Sequence, residues 1–209
     1  MCKFKKIIIF AAGCIALLLI GYMYAYWSGN INHTNHLTAD VTAAKIVEKF
    51  EQNSPPNETV PKKVSFQNNS SNAAFLRVSY AETWKKTDGE DTLLLNNKQN
   101  NSDVAAKEWT SAWKGRSLWH DGGDGWFYYK KILLPGNTTA PVLTGVTFPD
   151  YSGIYKEYEC ADYQLYFRME LLQASDSQST LNSSEVNAKA SETVFGKTAV
   201  VHGENVNWE

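Results

Sequence analysis

Two long stretches of the chain alternate between apolar and other residues. They are "AAFLRVSYAETW" and "YQLYFRMELLQA". The apolar positions two residues apart are Ala74, Leu76, Val78 and Tyr80 in the first, and Leu165, Phe167, Met169 and Leu171 in the second. Successive side chains of a strand point to opposite faces of its sheet, so this period predicts two strands with one face in a core. Phe75, Arg77 and Ser79 are predicted on the opposite face of the first strand.

Shorter patterns predict the remaining strands. They are "ADVTAAKIVEKF", "KKVSFQNNSS" with Val64 and Phe66, "WFYYKKILL", and "PVLTGVTFPD". The first of these segments favours a strand over a short helix. In the last segment Val142, Thr144, Val146 and Phe148 are predicted to share one face. The segments "EQNSPPNETVP", "DGGDG" and "PGNTT" carry the Pro, Gly and Asn residues that mark turns and loops.

Few segments have a helical pattern. "SSEVNAKASETVFGK" predicts a short helix with Ser183 or Ser184 as N-cap and Gly196 as its end. Residues 88–103 are predicted to form a connection on the surface, and the last residues are expected to be loosely held. Short strands separated by turns predict an all-β fold, an antiparallel β-sandwich with short helical insertions.

The N-terminus is predicted to carry a signal peptide or a membrane anchor helix. Lys3, Lys5 and Lys6 precede a stretch from Ile7 to Gly29 without a charged residue. A basic cap and an apolar run are typical of a signal peptide, and the run is also long enough to span a bilayer as an anchor of residues 7–27. Cleavage is predicted between Ala25 and Tyr26, after the only small residue in a suitable position.

The aromatic residues at the end of this run support the opposite interpretation. Tyr22, Tyr24, Tyr26 and Trp27 resemble the aromatic belt of a retained span, and Met23 fits a signal-peptidase site poorly. The residues favour cleavage and leave retention open. The predicted divisions are a leader (1–25), a flexible arm (26–40), a β-sandwich domain (41–174) with a Trp-rich insert (103–125), and a polar C-terminal segment (175–209).

Charge and cysteine content indicate which partners and which disulfides to expect. Without the leader the chain has 17 basic and 22 acidic side chains, a net charge of −5 with no basic block, so nucleic acid is not expected to bind. Cys2 and Cys14 lie in the leader, which leaves Cys160 as the exported cysteine and excludes an intramolecular disulfide. A lone cysteine beside strand-like residues is expected to be a small buried residue.

Motifs for catalysis or metal binding are absent from the sequence. The histidines are His33, His36, His120 and His202, and no H-E-x-x-H motif joins any of them. His33 and His36 lack an obvious third ligand, and catalytic zinc normally has three protein ligands. Asp121 and Asp124 in "DGGDG" lack the spacing of a calcium loop, and Glu157 and Glu159 are expected to face solvent. These observations predict a non-enzyme without a cofactor or a metal.

Three tryptophans leave two alternatives open. Trp109, Trp113 and Trp119 lie within the insert, with the first two spaced for one face of a short helix or a wrapped loop. If they are exposed, they form an interaction patch for a partner subunit or a glycan. If they are buried, they cap an open end of the sandwich.

Several segments, taken in order, resemble a known group of exported proteins. They are the leader end with Gly21, Ala25, Tyr26 and Trp27, then "AFLRV", "YYKKILLPGNTTAPVL", and the final Leu172, Gln173 and Ala174. The chain resembles the TasA/camelysin-like, SipW-dependent exported proteins of Gram-positive bacteria. The resemblance implies a jelly-roll-like or Ig-like β-sandwich, release by a SipW-type signal peptidase, and, as in some relatives, matrix fibres formed by donation of an N-terminal strand. The Trp-rich insert lies outside the shared pattern.

Three functions follow as hypotheses. The first is an exported structural protein of the cell surface or the extracellular biofilm matrix, with self-assembly or matrix proteins as partners. The second is a secreted or membrane-tethered module that binds a glycan or a protein through the tryptophans. The third is a secreted metalloprotease, since relatives have been called metalloproteases, and the histidine pattern gives it the weakest support.

Overall fold

A computed structural model describes residues 44–50, 56–175 and 183–209. The predicted leader, the arm and the cleavage residues Ala25 and Tyr26 lie outside the described residues. Within the described ranges, no helix has the length and apolar character needed to cross a bilayer.

The elements of the described chain are mostly short strands. In chain order they are β1 (Ala44–Phe50), β2 (Thr59–Asn68), β3 (Ala74–Asp88), β4 (Asp91–Leu95), β5 (Lys98–Gln99), β6 (Ser102–Asp103), β7 (Ala106–Trp109), α1 (Ser111–Lys114), β8 (Trp119–Asp121), β9 (Phe127–Tyr129), β10 (Leu143–Thr147), a 3-10 helix (Gly153–Tyr158), β11 (Ala161–Gln173), α2 (Ser183–Phe195), β12 (Ala199–His202) and β13 (Asn205–Trp208).

The strands form two main antiparallel sheets. The first sheet has the order β1-β2-β10-β7. The second has the order β11-β3-β9-β8, and β4 also pairs with the distal end of β3. Two small hairpins, β5-β6 and β12-β13, complete the structure. The predicted all-β, antiparallel fold with few short helices is confirmed.

The inner faces of the two main sheets share one apolar core. Val64 and Phe66 of β2 are fully buried in it, as is Val78 of β3. The rings of Phe66 and Phe167 join the two sheets with centroids 5.8 Å apart. The alternation predicted for β3 and β11 is confirmed, because all eight predicted inner positions lie in or against this core.

The outer face of the second sheet is covered by the C-terminal segment. A second cluster of buried residues there includes Phe75, Tyr128 and Leu172 of the sheet together with Phe195 and Trp208. The Trp208 Nε1 donates a hydrogen bond to the Tyr129 carbonyl oxygen at 2.9 Å. The prediction of loosely held last residues is therefore wrong, because α2 and the β12-β13 hairpin bury apolar surface against β3 and β9.

The helix predicted near the C-terminus is confirmed as α2. Gly196 follows its last residue with φ of +71°, a left-handed conformation that glycine adopts without steric cost. The predicted strand "ADVTAAKIVEKF" is confirmed for Ala44–Phe50, which form β1, and its first five residues lie outside the described residues. Residues 88–103 are predicted as a surface connection, and they contain β4 and the β5-β6 hairpin. β4 is stabilised by pairing with β3, and β5 and β6 by pairing with each other.

Two further predictions are corrected. Thr144 is exposed and does not share a face with Val142, Val146 and Phe148, because the register of β10 shifts between Leu143 and Gly145 against both of its neighbours. Cys160 is exposed and not buried, since it lies in the turn before β11 with φ of +62°. Its side chain is therefore directed away from the core that the adjacent strand enters.

Candidate functional site

The three tryptophans of the predicted interaction patch lie at the core between the main sheets. Trp119 is 1% exposed and Trp113 is 5% exposed, while Trp109 is partly buried against the same cluster. The rings of Trp109 and Trp113 stack with centroids 5.3 Å apart, and those of Trp113 and Trp119 are 4.9 Å apart. The single turn of α1 turns Trp113 inward.

This placement decides between the two alternatives that the sequence leaves open. A patch that requires Trp113 and Trp119 on the surface does not match the structure, because both side chains are buried in the core. The physical reason is the large apolar area of indole, which is stabilised between the sheets by contact with Phe127 and Tyr129.

The candidate metal ligands that the structure describes do not converge. The described part of the chain contains no group of three His, Cys, Asp or Glu residues that could hold a metal ion. His120 is partly buried, and its pKa is lowered by burial and by the charges of Lys197 and Lys130. His202 is exposed. His33 and His36 lie outside the described residues.

The "DGGDG" turn is closed by its own hydrogen bonds. The Asp124 carboxylate accepts hydrogen bonds from the Trp126 N–H at 2.9 Å and from the Tyr128 hydroxyl at 2.6 Å. Burial acts against ionisation of Asp124, but these donors outweigh it and hold its pKa below the usual value. The carboxylate therefore fixes the β8-β9 hairpin, as predicted for a glycine turn. Glu157 and Glu159 are exposed, which confirms their predicted position.

A group of polar residues at one end of the inner core was not found from the sequence. This polar centre consists of Glu82, Asn97, Asp103, Lys107 and Tyr163, which lie on or beside β3, β4, β6, β7 and β11. One signal was available. Extending the alternation of β3 beyond Tyr80 places Glu82 on the buried face, and a buried carboxylate requires partners.

The Glu82 carboxylate is the hub of the polar centre. Its Oε2 accepts hydrogen bonds from the Lys107 Nζ at 2.6 Å, the Asn97 Nδ2 at 3.0 Å and the Tyr163 hydroxyl at 2.5 Å. The Lys107 side chain is 3% exposed, and its Nζ also donates to the Asp103 Oδ2 at 3.0 Å. Lys107 belongs to the first sheet and Glu82 to the second, so the ion pair ties the sheets together.

Asn97 makes hydrogen bonds with all of its polar atoms. It is 4% exposed, and its Oδ1 accepts from the Trp84 Nε1 at 2.9 Å and from the Ala105 N–H at 2.7 Å. Its Nδ2 donates to Glu82 and to the Ala105 carbonyl oxygen at 2.9 Å. These partners fix the orientation of the amide, since only the oxygen can accept from two N–H groups.

The surroundings of the polar centre favour the protonated form of Tyr163 and the ionised form of Asp103. Burial raises the pKa of Tyr163, and the adjacent Glu82 carboxylate raises it further. Burial also acts against ionisation of Asp103, but hydrogen bonds from Lys98 and Lys107 outweigh it and lower its pKa. The centre therefore holds a buried amine and a buried carboxamide beside two partly buried carboxylates, since the side chains of Glu82 and Asp103 are 20% and 30% exposed.

The second feature with potential for recognition is the edge of the second sheet. β11 has 13 residues and pairs along its length with β3, and among the described strands it has no partner on its other side. β1, the edge strand of the first sheet, lies close to β11 without a hydrogen-bonded ladder between them. Tyr166 of β11 is 57% exposed. A long free edge presents unpaired N–H and C=O groups to any extended segment.

Comparison with known proteins gives no relative from which to transfer a function. No family model matches this chain, and neither a curated protein nor a solved structure matches it.

Proposed function

We propose that this protein is an exported structural component of the cell surface or biofilm matrix, related to the TasA/camelysin-like group. A SipW-type signal peptidase removes the leader between Ala25 and Tyr26. The released arm, residues 26–40, then adds a strand to a neighbouring copy. The observation that carries the proposal is the outer edge of β11, which has no partner among the described strands.

The arm and the edge are compatible in length. A segment of residues 26–40 extends over roughly 50 Å and β11 over about 43 Å, at the rise typical of strands. The arm is polar and without proline, so all of its backbone N–H groups are available for a ladder. Main-chain hydrogen bonds of this kind supply affinity without demanding a particular side-chain sequence.

The architecture supports the finer fold assignment that the resemblance implies. Two antiparallel sheets with one inner core are typical of a jelly-roll-like or Ig-like sandwich. Such domains have free edges unless another strand covers them, which is the property that strand donation uses.

The alternative of a glycan-binding or protein-binding module has less support, since Trp113 and Trp119 are buried. A membrane-tethered form remains the alternative for localisation if the leader is retained. The N-terminal sequence and the intact mass of protein from membranes and from medium distinguish the two. A chain that begins at Tyr26 in the medium supports release, and one that begins at Met1 in the membrane contradicts it.

Assembly is tested with three variants of the exported chain. We expect deletion of residues 26–40 to abolish assembly, and Tyr166→Lys to weaken it because a lysine on an edge opposes strand addition. Val194→Lys alters another exposed apolar residue, on α2, and should leave assembly unchanged. Sedimentation and electron microscopy of the released protein provide the measurement. Fibres formed by the arm-deleted protein contradict the proposal.

A further inference from the structure

The polar centre contains the components of an acyl transfer within the chain. The Lys107 Nζ and the Asn97 Nδ2 donate to the same two oxygens, Glu82 Oε2 and the Ala105 carbonyl. Two shared acceptors hold the amine and the carboxamide side by side. From this geometry we propose that Lys107 and Asn97 form an intramolecular isopeptide bond, with Glu82 as the proton carrier.

The carbonyl of Asn97 is prepared for attack. Its Oδ1 accepts two hydrogen bonds, from the indole N–H of Trp84 and from the backbone N–H of Ala105. Both donors are fully buried, so they act at low dielectric on the charge that develops on this oxygen. The arrangement is that of an oxyanion hole built into the core.

Glu82 contacts both nitrogens that exchange protons. The Lys107 ammonium gives a proton to Glu82 Oε2 across 2.6 Å, and the resulting neutral amine attacks the Asn97 Cγ. The electron pair of the C=O bond moves to Oδ1. Glu82 then delivers its proton to Nδ2 across 3.0 Å, the Cγ–Nδ2 bond breaks, and the C=O bond re-forms. The departing ammonia takes the second proton from the attacking nitrogen, which leaves a neutral secondary amide and an ammonium ion.

The step balances without a co-reactant. The ammonium of Lys107 and the carboxamide of Asn97 become one secondary amide and one ammonium ion. Five hydrogens and one positive charge are present on each side, and no atom changes oxidation state. Tyr163 is a positioning residue, because its hydroxyl holds Glu82 Oε2 without contact to the reacting carbon.

Asp103 is the competing acyl group, and its chemistry is less suitable. Its Oδ2 lies 3.0 Å from the Lys107 Nζ, but the paired Lys98 and Lys107 cations stabilise it as a carboxylate. A carboxylate is a poor electrophile, whereas the Asn97 carbonyl faces two donors. The bond to Asn97 joins β7 of the first sheet to the end of β4 in the second, in an exported chain with no disulfide available.

Mass spectrometry of the full purified chain tests the proposal. The wild-type chain is expected to be lighter than its sequence by the mass of one ammonia. After tryptic digestion, cleavage at Lys107 should be absent, and peptide 87–98 should be joined to peptide 99–114 through Asn97 and Lys107. A map with unbranched peptides and cleavage at Lys107 overturns the proposal.

Substitutions assign the roles. Lys107→Arg keeps a cation but removes the primary amine, and Glu82→Gln removes the proton carrier, so each should abolish the mass loss in a chain shown by circular dichroism to be folded. Lys98→Arg is the matched control and should retain the full mass loss. Loss of water in place of ammonia, with the branch at Asp103, also overturns the assignment to Asn97. The wild-type peptide map tests the bond between Lys107 and Asn97 even if a variant does not fold.

Discussion

The two faces of β3 each carry an ion pair, and the pairs have different chemistry. On the outer face, the Arg77 Nε and Nη2 donate to Glu170 Oε2 at 2.9 and 2.6 Å. The guanidinium lies between the rings of Trp126 and Phe195, 4.2 and 4.4 Å from their centroids. Its Nη1 also donates to the Phe195 carbonyl oxygen at 3.1 Å, at the end of α2.

On the inner face, Glu82 pairs with a lysine and an amide in place of an arginine and two rings. A guanidinium is planar, permanently charged and suited to stacking, so Arg77 docks the C-terminal helix on the sheet. The amine of Lys107 is a compact donor that becomes a nucleophile once it loses a proton. The comparison indicates that the outer pair holds an element in place, while the inner pair contains groups able to react.

The largest expected effect is on the inner face. Trp119→Ala should lower the free energy of unfolding by about 3–5 kcal/mol, because it leaves a cavity beside Phe66 and Tyr129. Urea denaturation followed by circular dichroism provides the measurement, with Trp126→Ala on the outer face as a less damaging counterpart. Unchanged stability with loss of a binding activity would restore the tryptophan patch as a functional site.

Breaking the inner ion pair should cost nearly as much. Relative to Lys107→Arg, which keeps a cation and cannot form the bond to Asn97, Lys107→Met leaves Glu82 and Asp103 without their shared buried cation. Losses of about 3–5 kcal/mol are typical when one partner of such a pair is removed. The double variant Lys107→Met with Glu82→Gln should recover part of the loss, since the uncompensated charge of Glu82 disappears. A double variant less stable than the single one contradicts the assigned partnership.

A smaller effect is expected on the outer face. Arg77→Lys loses the forked hydrogen bonds to Glu170 and the stacking between two rings, so we expect a loss of about 1–3 kcal/mol. Limited proteolysis should reveal earlier cleavage within α2. Arg168→Lys is the control, because the exposed Arg168 contacts the same carboxylate from the solvent side. Equal effects of both substitutions would show that the burial of Arg77 is unimportant.

The smallest effect concerns alkaline pH. Burial, followed by the hydrogen bond to Asp124, raises the pKa of Tyr128 from 10.0 to about 12. The raised pKa contributes stability that is complete below about pH 10, where unfolded tyrosine keeps its proton, and is lost as the pH rises toward 12. Tyr128→Phe should flatten this part of a plot of unfolding free energy against pH. An unchanged slope would assign the alkaline loss to other tyrosines.

The strands could be predicted from the sequence where one pattern dominates. β3 has the period of two from Ala74 to Tyr80 and β11 from Leu165 to Leu171, so their inner and outer faces follow directly there. The exposure of Thr144 could not be predicted, because the register shift in β10 arises from pairing with two neighbours at once. The covered outer face of β3 also escaped prediction, since Phe75 and Arg77 indicate a polar and apolar mixture but not that α2 and Trp208 pack there.

The sequence by itself determined the periodicities and turns, and with them the all-β character and the short C-terminal helix. These properties depend on neighbours in the chain. Only the tertiary structure decided that Trp113 and Trp119 are buried and that Glu82, Asn97 and Lys107 meet in one polar centre. The contact between Lys107 and Glu82 joins strands of different sheets, and the spacing of residues along the chain carries no information about which strands become neighbours.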